Sequence, residues 1–144
     1  MIVIGCGKAK LDHAAPAGEL YTGSLFRAAS RYAEARHDSQ DHAWLILSAK
    51  HGLIDPGTVI EPYEQKLALK GEALRLWATR AAEEFESWGP AVAEVLMGER
   101  YAVPFCKALS ELSIAWITPL AGKGTGERLA WLKRATEREK RRAA

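Results

Sequence analysis

Cysteine is scarce in this chain, and its scarcity excludes several kinds of protein. Only Cys6 and Cys106 occur among 144 residues, so the spacings typical of a small secreted disulfide-bonded domain are missing. No group of His, Cys and carboxylate residues has the spacing of a zinc site, and we predict no metal. We expect no cofactor either, because the sequence lacks a Walker A loop and a complete dinucleotide-binding fingerprint.

Long apolar runs are also absent. No stretch approaches the ~20 apolar residues that are needed to cross a bilayer. The chain opens with Met1, Ile2 and Val3, without the basic start and apolar run of a signal peptide. These absences predict a cytoplasmic protein that does not act at a membrane.

Apolar residues are nevertheless plentiful enough to form a core. Hydrophobic residues make up 48% of the chain and charged residues 26%, which predicts a single compact domain over residues 1–144. The net charge is only +2, but residues 121–144 carry eight Lys and Arg residues against three Glu residues. Clustered cations favour a polyanionic partner, although such a run is also typical of a solvated, fraying helix end.

Short apolar runs alternate along the chain with helical patterns. The runs predict strands at residues 2–5, 44–48, 92–97 and 114–118. Apolar residues at helical spacing predict helices at residues 24–36, 72–88, 101–112 and 126–142. This alternation requires crossover connections between parallel strands. The predicted fold class is α/β, a single Rossmann-like three-layer domain with a mainly parallel sheet of about four strands.

A polar or glycine-rich cluster follows each predicted strand. The carboxyl ends of parallel strands lie along one edge of the sheet, where open α/β sheets bind their ligands. We therefore predict one site there. The clusters contain Cys6, Lys8 and Lys10, then Ser48, Lys50 and His51, then Arg100 and Tyr101, and finally Gly122, Lys123 and Gly124 before a helix with Arg128.

Two of these clusters suggest particular chemistry. Lys8 and Lys10 would favour the thiolate form of Cys6, which makes Cys6 a candidate nucleophile, but an inert buried cysteine explains it equally well. A histidine beside a cation at a strand end, as His51 lies after Lys50, suits proton transfer near neutral pH. Backbone N–H groups in the glycine-rich segment at 122–126 are candidates to hold a phosphate.

One long connection is predicted, over residues 52–71. Ile54, Tyr63 and Leu67 make it too apolar for a free tether, and a loop of this length inside a compact domain is commonly functional. We predict that it folds over the site with Tyr63 directed inward, its approach restrained by Pro62.

Several motifs resemble a known family. The segment 45–56, LILSAKHGLIDP, followed by IEPY at 60–63, resembles the YaaA family of bacterial peroxide-stress proteins. CGKAK at 6–10, ELYTGSLFR at 19–27, SAKHGL at 48–53, GERY at 98–101 and PLAGKGTGER at 119–128 are more similar still to small bacterial and phage domains of unassigned function. The first motif is also similar to a segment of archaeosine synthase, which acts on a modified base in tRNA. The chain departs from YaaA in its shorter length and in His51, where YaaA members have Tyr.

The resemblance implies a DNA-associated protein. We expect an enzyme that acts on a nucleobase or nucleotide, for example by cleavage of an N-glycosidic bond or by base exchange, in DNA rather than RNA. The alternatives are a non-catalytic DNA-binding module and a nucleotide-sensing Rossmann-like domain. The candidate catalytic residues are Cys6, Lys8, Ser48, Lys50 and His51, with Cys6 or Lys8 as nucleophile. The candidate binding residues are Lys10, Tyr21, Arg27, Asp55, Tyr63, Arg100, Tyr101, Gly122, Lys123, Gly124 and Arg128, with Tyr63 or Tyr101 stacking on the base.

Overall fold

The computed structural model describes residues 1–64 and 69–144. All eight predicted helices and strands are present, with bounds that differ by a few residues. The strands among them are β1 (Ile2–Gly5), β3 (Trp44–Ser48), β6 (Val92–Leu96) and β7 (Ala115–Ile117), and the helices are α2 (Ser24–Gln40), α3 (Gly71–Ser87), α4 (Glu99–Glu111) and α5 (Thr125–Ala143). Four shorter elements were not predicted: β2 (Ala15–Pro16), α1 (Ala17–Leu20), β4 (Gly52–Ile54) and β5 (Val59–Ile60).

The predicted strands are neighbours in one mostly parallel, five-stranded sheet. Its order is β4-β3-β1-β6-β7, and β1, β3, β6 and β7 pair in parallel. The fifth strand, β4, pairs antiparallel with β3, so the sheet has one more strand than predicted. β4 returns from β3 through a tight turn at residues 49–51, and Gly52 after that turn has a φ of +70°, a conformation that favours glycine.

The strands are continuous apolar runs because both faces of the sheet are covered. Alternate side chains of β1 and β3, such as Ile4 and Ile46, pack against α2 and α5, whereas Val3 and Leu45 pack on the opposite side against α3 and α4. The core residues of β1 are fully buried, as expected for strands in a parallel sheet with crossover helices.

The order of strands reverses at β1. The chain passes from β1 to β3 on one side and later returns to β6 on the other, and ligands of open α/β sheets bind at such a switch point. Strands β1 and β6 approach closely where they end, since a Cβ at Gly5 would lie 2.7 Å from the Cβ of Met97. Glycine at position 5 therefore allows the ends of β1 and β6 to lie this close together.

The first part of the predicted long connection contains regular structure. It contains β4 and β5, and β5 pairs antiparallel with β2, so its first half is fastened to the segment that follows β1. The backbone N–H groups of Ala17 and Gly18 also donate to the carbonyls of Thr58 and Pro56. The part of the prediction that concerned Leu67 lies outside the described residues.

The charge run of α5 is mostly exposed, as for a solvated helix, but it is not solvated throughout. It packs along α2, and the carboxylate of Glu139 near its end is buried. That carboxylate accepts hydrogen bonds from Ser39 at 2.6 Å and Gln40 at 2.9 Å, and it lies near the guanidinium of Arg36. Glu139 thus joins α5 to α2, whereas residues 140–144 beyond it are exposed. Within residues 1–64 and 69–144, no helix is long and apolar enough to cross a membrane.

Candidate functional site

Cys6 and Tyr101 meet at the switch point of the sheet. Cys6 follows β1 directly, and Tyr101 lies in the first turn of α4, just after β6. The half-buried thiol of Cys6 donates to the hydroxyl of Tyr101 over 3.9 Å, a long contact for a thiol, which is a weak donor. Burial, together with the nearby Cys6, raises the pKa of Tyr101. Cys6 and Tyr101 belong to different predicted clusters and are 95 positions apart in the sequence, yet they lie side by side.

Ser48, at the end of β3, organises the turn that carries Lys50 and His51. Its side chain is fully buried, and its Oγ accepts the backbone N–H groups of both residues at 3.1 Å. The Oγ also lies 2.6 Å from the hydroxyl of Tyr63. Every hydrogen-bonding position of Ser48 is filled within the protein, which gives Ser48 a positioning role in this turn; its catalytic role stays a prediction.

A chain of buried hydroxyls leads away from Ser48. The hydroxyl of Tyr63 lies 2.6 Å from that of Tyr21. Because two N–H groups occupy both lone pairs of Ser48 Oγ, its proton must go to Tyr63. Tyr63 in turn donates to Tyr21. Burial raises the pKa of both tyrosines, which keeps the chain protonated at neutral pH.

Two lysines lie over the tyrosine rings. The Nζ of Lys10 is 4.5 Å from the centroid of the Tyr63 ring and 5.7 Å from that of Tyr21, and the Nζ of Lys50 is 5.6 Å from the Tyr63 ring. These distances are typical of cation–π contacts. The ammonium of Lys10 also donates to the carbonyl of Lys8 at 3.0 Å. Lys10 thus contacts both tyrosines, and its effect on Cys6 stays a prediction.

His51 is held against the same tyrosine. Its ring meets the Tyr63 ring edge to face, with centroids 5.3 Å apart. Partial burial, and then the positive charge of Lys50, lower the pKa of His51 below its ordinary value. The imidazole is therefore neutral at pH 7 and able to accept a proton.

Trp77 is a member of the site that the sequence analysis missed. Its indole N–H donates to the backbone carbonyl of Ser48 at 3.4 Å, and its ring lies 5.7 Å from that of Tyr101. Trp77 also lines an open groove of about 470 Å³ together with Lys50 and His51. The helical pattern of residues 72–88 indicated a core position for Trp77, and no local signal distinguished it from the other apolar residues of α3.

Other predicted residues have exposed side chains or structural roles. Lys8, Arg27 and Arg100 are exposed. The carboxylate of Asp55 accepts the N–H of Gly57 at 2.8 Å and closes the turn before β5.

The glycine-rich loop before α5 is stabilised from within. The Nε of Arg128 donates to the carbonyl of Lys123 at 2.8 Å, Gly122 has a φ of +73°, and Gly124 caps the helix. These bonds join the loop to α5 and do not connect it to Tyr63 or Cys6. In the part of the chain that the structure describes, no three His, Cys, Asp or Glu side chains are grouped to hold a metal ion.

Comparison with known proteins places the chain in a family. It is 29% identical over 148 residues to "Uncharacterized protein YfjM" of Bacillus subtilis (strain 168), and the match covers 95% of each chain. No solved structure matches. The model of "Family of unknown function (DUF6884)" matches residues 1–134, and the chain therefore belongs to this family.

Proposed function

We propose that this protein is an enzyme that acts on a nucleobase or nucleotide within a nucleic acid, by cleaving or exchanging an N-glycosidic bond. The observation that carries the proposal is the contact between Cys6 and Tyr101 at the point where the strand order reverses, because a potential nucleophile there faces the usual ligand crevice. The proposal includes a Rossmann-like three-layer classification, a cytoplasmic location, a likeness to YaaA proteins, and DNA rather than RNA as substrate.

For such a reaction we assign Cys6 as the nucleophile and His51 as the group that carries each proton. Neutral His51 takes the proton of the Cys6 thiol, and the thiolate attacks C1′ of the sugar while the bond from C1′ to the base nitrogen breaks. The imidazolium of His51 returns the proton to the departing nitrogen. Water, or the N–H of an incoming base, then attacks C1′ and gives its proton to His51. The carbon–sulfur bond breaks, and the thiolate recovers its proton from His51, so that atoms and charges balance.

The aromatic residues divide between binding and support. Tyr63 is buried, with Lys10 and Lys50 over its ring, and it therefore fixes the position of neighbouring groups. Tyr101 and Trp77 are partly exposed and adjacent, which favours them as the surface on which an extruded base stacks. Lys50 remains a cation beside the site, suited to developing negative charge on the leaving base.

The test is turnover of oligodeoxynucleotides that carry modified bases, with the released base measured by mass spectrometry. We expect Cys6→Ala to abolish release and His51→Gln to slow it by about 100-fold or more, the usual contribution of general acid–base catalysis. Cys106→Ala is the matched control, since Cys106 is buried in the core and should leave turnover intact. The absence of release by the wild-type protein from every substrate, or equal rates for both cysteine variants, would reject the enzyme.

A non-catalytic DNA-binding module of the YaaA type is the second candidate. The density of exposed Lys and Arg residues on α5 favours it, because neutralised phosphates supply most nonspecific affinity for nucleic acid. Binding of DNA without turnover, unchanged by His51→Gln, is the result expected of such a module.

A further inference from the structure

A basic groove lies between α2 and α5, separate from the groove that Lys50, His51 and Trp77 line. Arg27 and Arg31 of α2 line one wall, and Lys133 and Lys140 of α5 line the other, around a volume of about 510 Å³. These four side chains are exposed. We call this surface the α2–α5 groove.

The charge of the groove is strongly one-sided. Glu137 is the acidic residue among its lining residues, so four cations face one anion. The hydroxyl of Thr136, which also lines the groove, donates to the carbonyl of Leu132 at 2.7 Å. The cations are thus the principal polar groups that a ligand would meet. Past Lys140 the surface carries Glu34 and Asp38, and these acids mark the end of the basic run.

The positions of the cations match a linear, repeating anion. Lys133 and Lys140 are seven residues apart on one face of α5, a distance of roughly 10 Å at about 1.5 Å per residue. One strand of duplex DNA carries a phosphate about every 3.4 Å of helix axis, so about three phosphates span this length. Arg27 and Arg31, one turn apart on α2, provide a second row.

The groove leads towards the candidate site. Helix α5 follows the parallel strand β7, and its first turn therefore lies at the carboxyl edge of the sheet. Helix α2 follows β1 after the short elements β2 and α1. At the start of α2, Phe26 packs on Tyr21 with ring centroids 4.9 Å apart. A nucleic-acid strand lying in the groove would thus have one end beside the buried hydroxyls of Tyr21, Tyr63 and Ser48.

We infer that the α2–α5 groove binds the sugar–phosphate backbone of a nucleic acid and delivers it to the carboxyl edge. The choice of nucleic acid as partner rests on the proposed function, whereas the position of the binding surface rests on the four cations. Such contacts position the partner and carry no sequence information directly.

The test compares two neutralised variants of equal charge. Lys133→Gln/Lys140→Gln removes two groove cations. Arg134→Gln/Arg141→Gln removes two exposed cations from the same helix at the same spacing but outside the groove. Binding of fluorescent duplex and single-stranded DNA is measured by anisotropy over a range of salt concentrations, after circular dichroism has shown that both variants are folded.

The groove variant should reduce the magnitude of the negative slope of log K against log salt by about 1.8 for duplex DNA and about 1.4 for single strands, the values for two lost phosphate contacts. The control should retain the wild-type slope. The inference would be overturned by equal slopes for both variants or by a wild-type protein that does not bind DNA. It would also be overturned if the wild-type protein bound polyglutamate as tightly as DNA. A His51→Gln variant that loses turnover but keeps the salt slope separates the two proposals, because the groove then binds whether or not the site is catalytic.

Discussion

Removal of the Ser48 hydroxyl is the sharpest structural perturbation that this site offers. In Ser48→Ala, the two N–H groups of the turn lose their acceptor and Tyr63 loses its donor. Each such hydrogen bond contributes about 0.5–1.5 kcal/mol net, and more when a buried partner is left unsatisfied. The turn groups are partly buried and regain some hydration, so we expect a loss of about 2–4 kcal/mol in the free energy of unfolding.

Urea denaturation followed by tryptophan fluorescence measures this loss, provided that the m value is unchanged. Ser30→Ala is the matched control, because Ser30 is also buried but its Oγ donates one local bond, to the carbonyl of Arg27. The control should cost no more than about 1 kcal/mol. A loss below 1 kcal/mol for Ser48→Ala, or equal losses for the two serines, would refute the assignment of Ser48 as the organiser of this turn. A double-mutant cycle with Tyr63→Phe should give a coupling of at least about 0.5 kcal/mol, since the two residues share one bond.

Two further predictions concern the same edge of the sheet. Lys50→Gln should raise the pKa of His51 towards its ordinary value of about 6.5, because the charge of Lys50 helps to lower it. NMR titration of the imidazole measures this pKa, and an unchanged value would contradict the effect of Lys50 on His51. The acid limb of any His51-dependent rate should move to higher pH in the same variant, since the base is then protonated earlier as pH falls. Gly5→Ala should cost about 1–3 kcal/mol by overpacking against Met97, whereas Gly126→Ala, with open space inside α5, should be neutral or stabilising in the same denaturation assay. Similar effects for both glycines would remove the argument for a close approach at Gly5.

The sheet could be predicted because its strands are short, continuous apolar runs separated by helical patterns, and such runs are required when both faces are buried. β4 was missed because three residues after a turn carry no periodic signal. The burial of Glu139 was missed for a different reason. A charge run looks solvated in sequence, and the partners that make this carboxylate a core group come from α2, about 100 residues earlier.

The meeting of Cys6, Tyr101 and the Ser48 turn was predictable in outline from the parallel topology alone. The contacts within it were not. Tyr63 reaches Tyr21 over 42 positions and Ser48 over 15, and such pairings depend on how β2 and β5 fasten the connecting segments. Trp77 shows the same limit, because helical spacing predicts which face is apolar but not which residue donates to a carbonyl of β3.

The most direct test of the central claim is to map ligand binding onto the backbone by ¹H–¹⁵N NMR. Nucleoside monophosphates and a short single-stranded oligonucleotide are the probes. We predict that both shift the amides of Cys6, Lys8, Gly98 and Tyr101 at the switch point, and that the oligonucleotide also shifts those of the α2–α5 groove. Shifts confined to the groove, or to surfaces away from β1 and β6, would contradict a nucleobase site at the carboxyl edge of the sheet.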